Sequence, residues 1–167
     1  RFVGLENYGR LFTQDPYFYN HSAFPPTGTV INNIIWLFVF TTLVIVAGLV
    51  IAVMAERVRY EAIVKSVVFI PYSISATAAG IIWLFMYSPN PRMGLLNAIL
   101  SAINPGWQPI NFTGDMALVT ISIIIAAVWI QTGFTTVVIS AALKGIPAEI
   151  VEAARVDGAN AWQIFSR

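Results

Sequence analysis

The chain has 167 residues, 57% of them hydrophobic and only 10% charged, with a net charge of +1. An ordinary soluble domain is about a quarter charged, so this composition points to a lipid bilayer, and the few scattered basic residues exclude a nucleic-acid surface. Cysteine is absent, which removes disulfides, thiolate chemistry and Cys-ligated zinc.

The chain begins at Arg1 rather than at a methionine and stops at Arg167, directly after a helical pattern, so it is expected to be a piece of a longer protein. No signal peptide is visible. Residues 1–33 form a polar opening segment. Within it, His21 has no ligand-type neighbours, and Asn20-His21-Ser22, like Asn111-Phe112-Thr113 further on, matches a glycosylation acceptor that is common by chance.

A helix needs about 20 apolar residues to cross a membrane, and three stretches meet that length. Residues 34–55 (IIWLFVFTTLVIVAGLVIAVMA), 66–87 (SVVFIPYSISATAAGIIWLFMY) and 116–143 (MALVTISIIIAAVWIQTGFTTVVISAAL) contain no charge. Pro71 lacks an amide hydrogen, so a kink is expected there in the second span. Trp36 and Trp83 fall toward the outer ends of their spans, as interfacial anchors do.

Basic residues set the orientation. The link after the first span carries Arg57, Arg59 and Lys65, and the segment after the third carries Lys144, Arg155 and Arg167. The positive-inside rule puts both segments in the cytoplasm and leaves 1–33 and 88–115 outside. Within 88–115, Met93–Ile103 has the pattern of a short amphipathic helix lying on the surface. Asp115 is the expected N-cap of the third span, while Lys144, Gly145 and Pro147 suit its end and the start of the next helix.

Polar residues inside the spans are small and neutral. Thr132, Thr136 and Ser140 recur every four residues and share a helix face, with Gln131 and Thr135 on the next row; Ser73, Thr77 and Gly80 do the same in the second span. Two readings stand. Small and hydroxylated residues pack helices closely. Alternatively Gln131, Thr132, Thr135, Thr136, Ser73 and Thr77 line a watery path for a polar solute, since an amide facing lipid is costly. The lack of ionisable groups at membrane depth argues against a proton- or sodium-coupled carrier and against a membrane-embedded enzyme. No glycine-rich phosphate loop, metal cluster or catalytic constellation is present, so neither a cofactor nor catalysis is expected.

After the third span the sequence turns charged. Pro147–Val156 reads as a short helix with Glu149 in its first turn, where the helix dipole favours an acid. Glu152 and Arg155 are spaced to pair, and Ile146, Ile150 and Ala154 form a narrow apolar stripe. Asp157-Gly158 ends the helix, Gly158 supplying a left-handed residue. A second amphipathic piece comes next, with Trp162 and Phe165 three apart. A membrane-surface helix would carry Lys and Arg on its polar face; this acidic one suits docking on a protein.

Here the residues carry a resemblance. Glu152-Ala153-Ala154 followed by Asp157-Gly158-Ala159, within LKGIPAEIVEAARVDGANAWQIF, resembles the EAA loop of permease subunits of binding-protein-dependent ABC importers, sugar-importer branch. FVGLENYGRLF, FIPYSIS (Phe69–Ser75) and GLLNAIL (Gly94–Leu100) resemble the same branch in the same order. The resemblance implies an all-α polytopic helix bundle of the type I importer permease kind, three transmembrane helices in this piece and a cytoplasmic coupling helix within 144–167. It also implies partners: two cytoplasmic ATP-binding subunits, a second permease subunit, an extracytoplasmic solute-binding protein and a sugar as solute. On that pattern Glu149, Glu152, Ala153, Ala154, Asp157 and Gly158 meet the ATPase. On that pattern the family's first span and last two spans are expected to lie outside these 167 residues, and the insert at residues 19–33 is longer than the pattern leads one to expect. A secondary carrier without an ATPase remains the alternative.

Overall fold

In a computed structural model, residues 3–15, 17–20 and 28–166 are described. The readings of His21 and of the Asn20-His21-Ser22 match rest on residues outside them. The described elements are helices throughout. They run α1 (Glu6–Gln14), α2 (Thr29–Ile35), a π-helical stretch (Trp36–Phe40), α3 (Thr41–Ala55), α4 (Glu61–Ser73), α5 (Ala76–Tyr87), α6 (Leu95–Ile103), α7 (Val119–Lys144), α8 (Ala148–Val156) and α9 (Ala161–Ser166).

Among the described residues, two helices are long and apolar enough to cross a membrane: the continuous helix Thr29–Ala55, of 27 residues, and α7, of 26. The bent pair α4 and α5 brings the number to three if it forms one broken span. The first rod starts earlier than its uncharged run, inside the insert. Asn33 donates its side-chain amide to the Thr29 carbonyl, 2.8 Å away, and Asn32 accepts from the Thr120 hydroxyl at 2.9 Å, so polar residues are absorbed into the helix. α7 starts at Val119 rather than at 116. Asp115 caps a preceding turn instead, its carboxylate accepting from the Ala117 amide at 2.8 Å.

The second span differs most from expectation. Pro71 lies buried inside α4 without ending it, and α4 runs on to Ser73. The helix breaks after that residue. There Ser75 takes an extended conformation and accepts a hydrogen bond from the Ala78 amide at 3.2 Å, starting α5 as an N-cap. The break comes from a new helix start, which a serine two residues after Ser73 supplies.

The chain divides into two compact units, Arg1–Val44 with Ile74–Ile130, and Ile45–Ser73 with Gln131–Arg167. In the first unit, Trp83 is part of an aromatic cluster. Its ring lies 4.9 Å from Tyr87 and 5.7 Å from Trp129, and Tyr87 lies 5.3 Å from Phe112. The Tyr87 hydroxyl donates to the Ser122 carbonyl at 2.8 Å. α6 does not merely rest on a surface. Asn97 on its inner face is fully buried, donating to the Ser88 and Ile110 carbonyls and accepting from the Ile110 amide and the Trp107 ring. One side chain thereby ties both ends of the 88–110 connection.

The second unit is built on small residues. Ala52, Ala55, Thr132, Gly133, Thr136 and Ser140 are buried. A Cβ at Gly133 would overlap the Val68 carbonyl oxygen and lie 2.7 Å from the Phe69 Cα, so α7 meets the α4 backbone where only glycine fits. Tyr72 of α4 stacks on Phe134 of α7 at 5.2 Å.

Candidate functional site

The charged segment after α7 folds as a helix, a tight turn and a second helix. Pro147, in extended conformation at the N-cap, releases the chain from the α7 end, and α8 starts at Ala148, one residue later than the pattern suggested. Glu149 sits in the first turn and Arg155 in the last, both favoured by the helix dipole. The helix ends in a two-bond lock. The Gly158 amide donates to the Arg155 carbonyl and the Ala159 amide to the Ala154 carbonyl, each at 3.0 Å, which is the Schellman arrangement. Gly158 has φ +82°, in the left-handed region, as the sequence indicated. A Cβ there would meet nothing within 4 Å, so the demand for glycine comes from the backbone alone.

The restart is equally specific. Asn160 accepts from the Gln163 amide at 2.9 Å, and the Gln163 side chain accepts from the Asn160 amide at 2.8 Å. This reciprocal capping box fixes the first turn of α9. Its signal in the sequence is the Asn-x-x-Gln spacing, which the pattern of apolar residues alone does not bring out.

Glu149, Glu152, Ala153, Asp157 and Gly158 are placed together on this segment. Glu149, Glu152, Ala153 and Asp157 are exposed, and Ala154 is half-buried. Among the described residues no ion pair joins Glu152 to Arg155, contrary to their spacing; the two side chains are left to solvent. Ile146 and Ile150 are exposed, as are Trp162 and Phe165 of α9, whose rings stand 6.1 Å apart. The segment thus presents acids beside an apolar stripe, a surface with the chemistry of a docking face.

The membrane-level candidates divide. Thr136 is fully buried and Thr132 nearly so; the Thr136 hydroxyl donates to the Thr132 carbonyl at 2.8 Å. Their face is the one that packs, in keeping with the packing reading. Gln131 and Thr135 are half-buried, and Ser73 and Thr77 are exposed. Thr135 donates to the Gln131 carbonyl at 3.2 Å, which leaves the Gln131 amide group out of that bond.

At the root of the segment lies a cluster that residue counting does not anticipate. Lys65 and Lys144, markers of orientation in the sequence, both bind Glu61, Lys144 at 2.6 Å. Lys65 also donates to the buried Ser140 hydroxyl, which in turn reaches Glu56 at 3.3 Å. Glu61 opens α4, ahead of the uncharged run that starts at Ser66. Hydrogen bonds from Lys144 and then Lys65 hold its carboxyl below the usual carboxylate range.

Uncharged helices followed by an exposed, charged helix–turn–helix define a polytopic helical membrane component. Residues 44–167 match the family described as binding-protein-dependent transport system inner membrane component, and the chain belongs to that family. It is 43% identical to the osmoprotective compounds uptake permease protein GgtC of Synechocystis sp., over 99% of this chain and 57% of the relative. It is 40% identical to the alpha-glucoside transport system permease protein AglF of Rhizobium meliloti, over 98% of this chain and 47% of the relative. The chain therefore spans about half the length of these relatives. In fold it is similar to a bacterial ABC transporter involved in the import of the acidic polysaccharide alginate, with a TM-score of 0.74 at 24% identity, over 99% of this chain and 55% of that one.

Proposed function

We propose that this chain is the core of a membrane subunit of an ATP-driven carbohydrate importer, and that α8 is the helix through which a separate cytoplasmic ATP-binding subunit acts on it. The observation that carries this is the exposed α8, closed at its end by the Gly158 turn and following α7 after three residues. A helix that passes force must not unwind, and the Schellman lock with the following capping box resists that. ATP hydrolysis belongs to the partner. The exposed acids Glu149, Glu152 and Asp157 face its basic or amide groups, and Ala153 and Ala154 allow close approach.

In the whole assembly a second permease subunit completes the bundle, and an extracytoplasmic solute-binding protein delivers the solute. The basic links 56–65 and 144–167 lie on the cytoplasmic side and 88–115 outside. Transport follows from two arrangements of the helices, biased by ATP through α8 and by the loaded binding protein from the other side. Gln131 and Thr135 of α7, with Ser73 and Thr77, are the side chains offered to the solute; Thr132 and Thr136 stand on the adjoining row. The names of the relatives favour a small neutral carbohydrate of the α-glucoside kind, in keeping with spans that carry no charge.

The test is a pair of substitutions at Gly158 in the full-length protein, assembled with its partners. Gly158→Val places a β-branched residue at φ +82°, which costs about 1–2 kcal/mol in the turn, whereas Gly158→Asn tolerates that conformation. The valine variant is expected to lose solute-stimulated ATPase activity and uptake together, and the asparagine variant to keep most of both. Normal uptake in the valine variant would remove α8 from the coupling route.

A further inference from the structure

Building on the coupling role of α8, we infer that Glu61 is a positioning residue that clamps the root of that helix to α4, making α4 and the C-terminal half of α7 one lever. Three observations meet there. The Glu61 carboxylate, at the start of α4, binds Lys65 on its own helix and Lys144 on the last turn of α7, 2.6 Å away. Lys65 passes the contact on to Ser140, which is 1% exposed, and Ser140 reaches Glu56 in the turn after α3 at 3.3 Å. Two acids, two bases and one hydroxyl thus join the ends of three helices with no net charge.

The clamp matters because it stands at the base of α8. Pro147 comes three positions after Lys144, and the intervening Gly145 and Ile146 are exposed. Without a tie at Lys144, a displacement of α8 would be absorbed by fraying of the last turn of α7. With it, the displacement reaches α4. Further along, α4 and α7 are held by the backbone approach at Gly133 and by the Tyr72–Phe134 stack. Close packing makes the two helices move as a pair, and Glu61 closes the end where the force enters.

Stability is a poor explanation for the tie to Lys144. The Lys144 side chain is 57% exposed, and exposed ion pairs add little to stability. A carboxylate shared by two lysines from different helices supplies register instead. Its worth therefore shows in coupling between sites rather than in folding.

The experiment uses the full-length subunit assembled with its ATP-binding subunits and binding protein in proteoliposomes. Variants are Glu61→Gln, Lys144→Gln, the double variant, the exchange Glu61→Lys with Lys144→Glu, and Lys144→Arg. Basal ATPase activity, its stimulation by loaded binding protein, and uptake are measured for each. Each neutral single variant is expected to keep its partners and its basal activity but to lose stimulation and uptake by about 5- to 10-fold. The double variant should be no worse than either single, the exchange should recover most of the loss, and Lys144→Arg should stay close to the parent. Unchanged stimulation in both singles, or losses that multiply in the double variant, would overturn the clamp while leaving the role of α8 intact. Failure of the parent protein to hold an ATP-binding subunit would overturn the role of α8, and the clamp with it. Because Lys144 is exposed, its variants carry the test even if Glu61→Gln assembles poorly.

Discussion

The two compact units are held by opposite means. The first is fastened by neutral groups: a buried Asn97 with four hydrogen-bond partners, a Tyr87–Ser122 bond and a cluster of aromatic rings. The second is held by small residues in contact along its helices and by a charged knot at one end. A fully satisfied neutral network in a buried setting has one good geometry and loses much when any member is removed. An ion-pair cluster open to solvent at one end, as at Lys144, is weaker, but it can be remade in another register. The first unit is thus suited to keeping a shape and the second to transmitting a displacement.

The largest effect that would sharpen this contrast is expected at Asn97. Asn97→Ala leaves the Ser88 and Ile110 carbonyls, the Ile110 amide and the Trp107 ring without their partner. Each unsatisfied buried group costs about 1–3 kcal/mol, so the loss should reach about 3 kcal/mol or more. The measurement is the thermal unfolding midpoint of the full-length subunit in detergent, with hydrogen exchange over residues 88–110. Strong deprotection confined to that segment is the expected result. An unchanged midpoint would mean that the first unit does not depend on its neutral knot.

Gly133→Ala comes next. The added methyl meets the backbone of Val68 and Phe69, the Phe69 Cα at 2.7 Å, rather than a side chain that could rotate away. Overpacking of this kind costs about 1–3 kcal/mol. The variant should lower the midpoint and also weaken the response of ATPase activity to loaded binding protein, because α4 and α7 are forced apart. A drop in stability with full coupling would separate the packing of this unit from its transmission.

The contrast also explains which features can be read from the residues. The uncharged runs are legible because a bilayer demands length and apolarity and little else, and Gly158 is legible because few residues accept its conformation. The break in the second span is legible in existence but not in cause. Pro71 carries the familiar signal for a kink, yet the helix runs past it, and the N-cap at Ser75 sets the break. Asn97 looks like one polar residue on an amphipathic helix; nothing local indicates that its partners sit at Ser88 and Ile110. Half of the charged knot is available in the spacing of Glu61 and Lys65. The other half, Lys144, is far along the chain, and pairing at that range leaves no periodic trace.

The smallest expected effect lies on α7, where two adjoining rows of polar residues are separated by their burial. Thr136 is fully enclosed, and its hydroxyl is satisfied by the Thr132 carbonyl one turn earlier. Such a bond is local to the helix, so Thr136→Val should cost under about 1 kcal/mol and leave uptake and its concentration dependence near those of the parent. Gln131→Leu keeps the bulk of a half-buried side chain and removes only its amide. If that row meets the solute, uptake should require several-fold more solute, with stability unchanged. The pair is read by uptake kinetics in proteoliposomes. A large transport defect in Thr136→Val with normal stability would put the packed row on the path, and would require the second unit to open between α4 and α7 during transport.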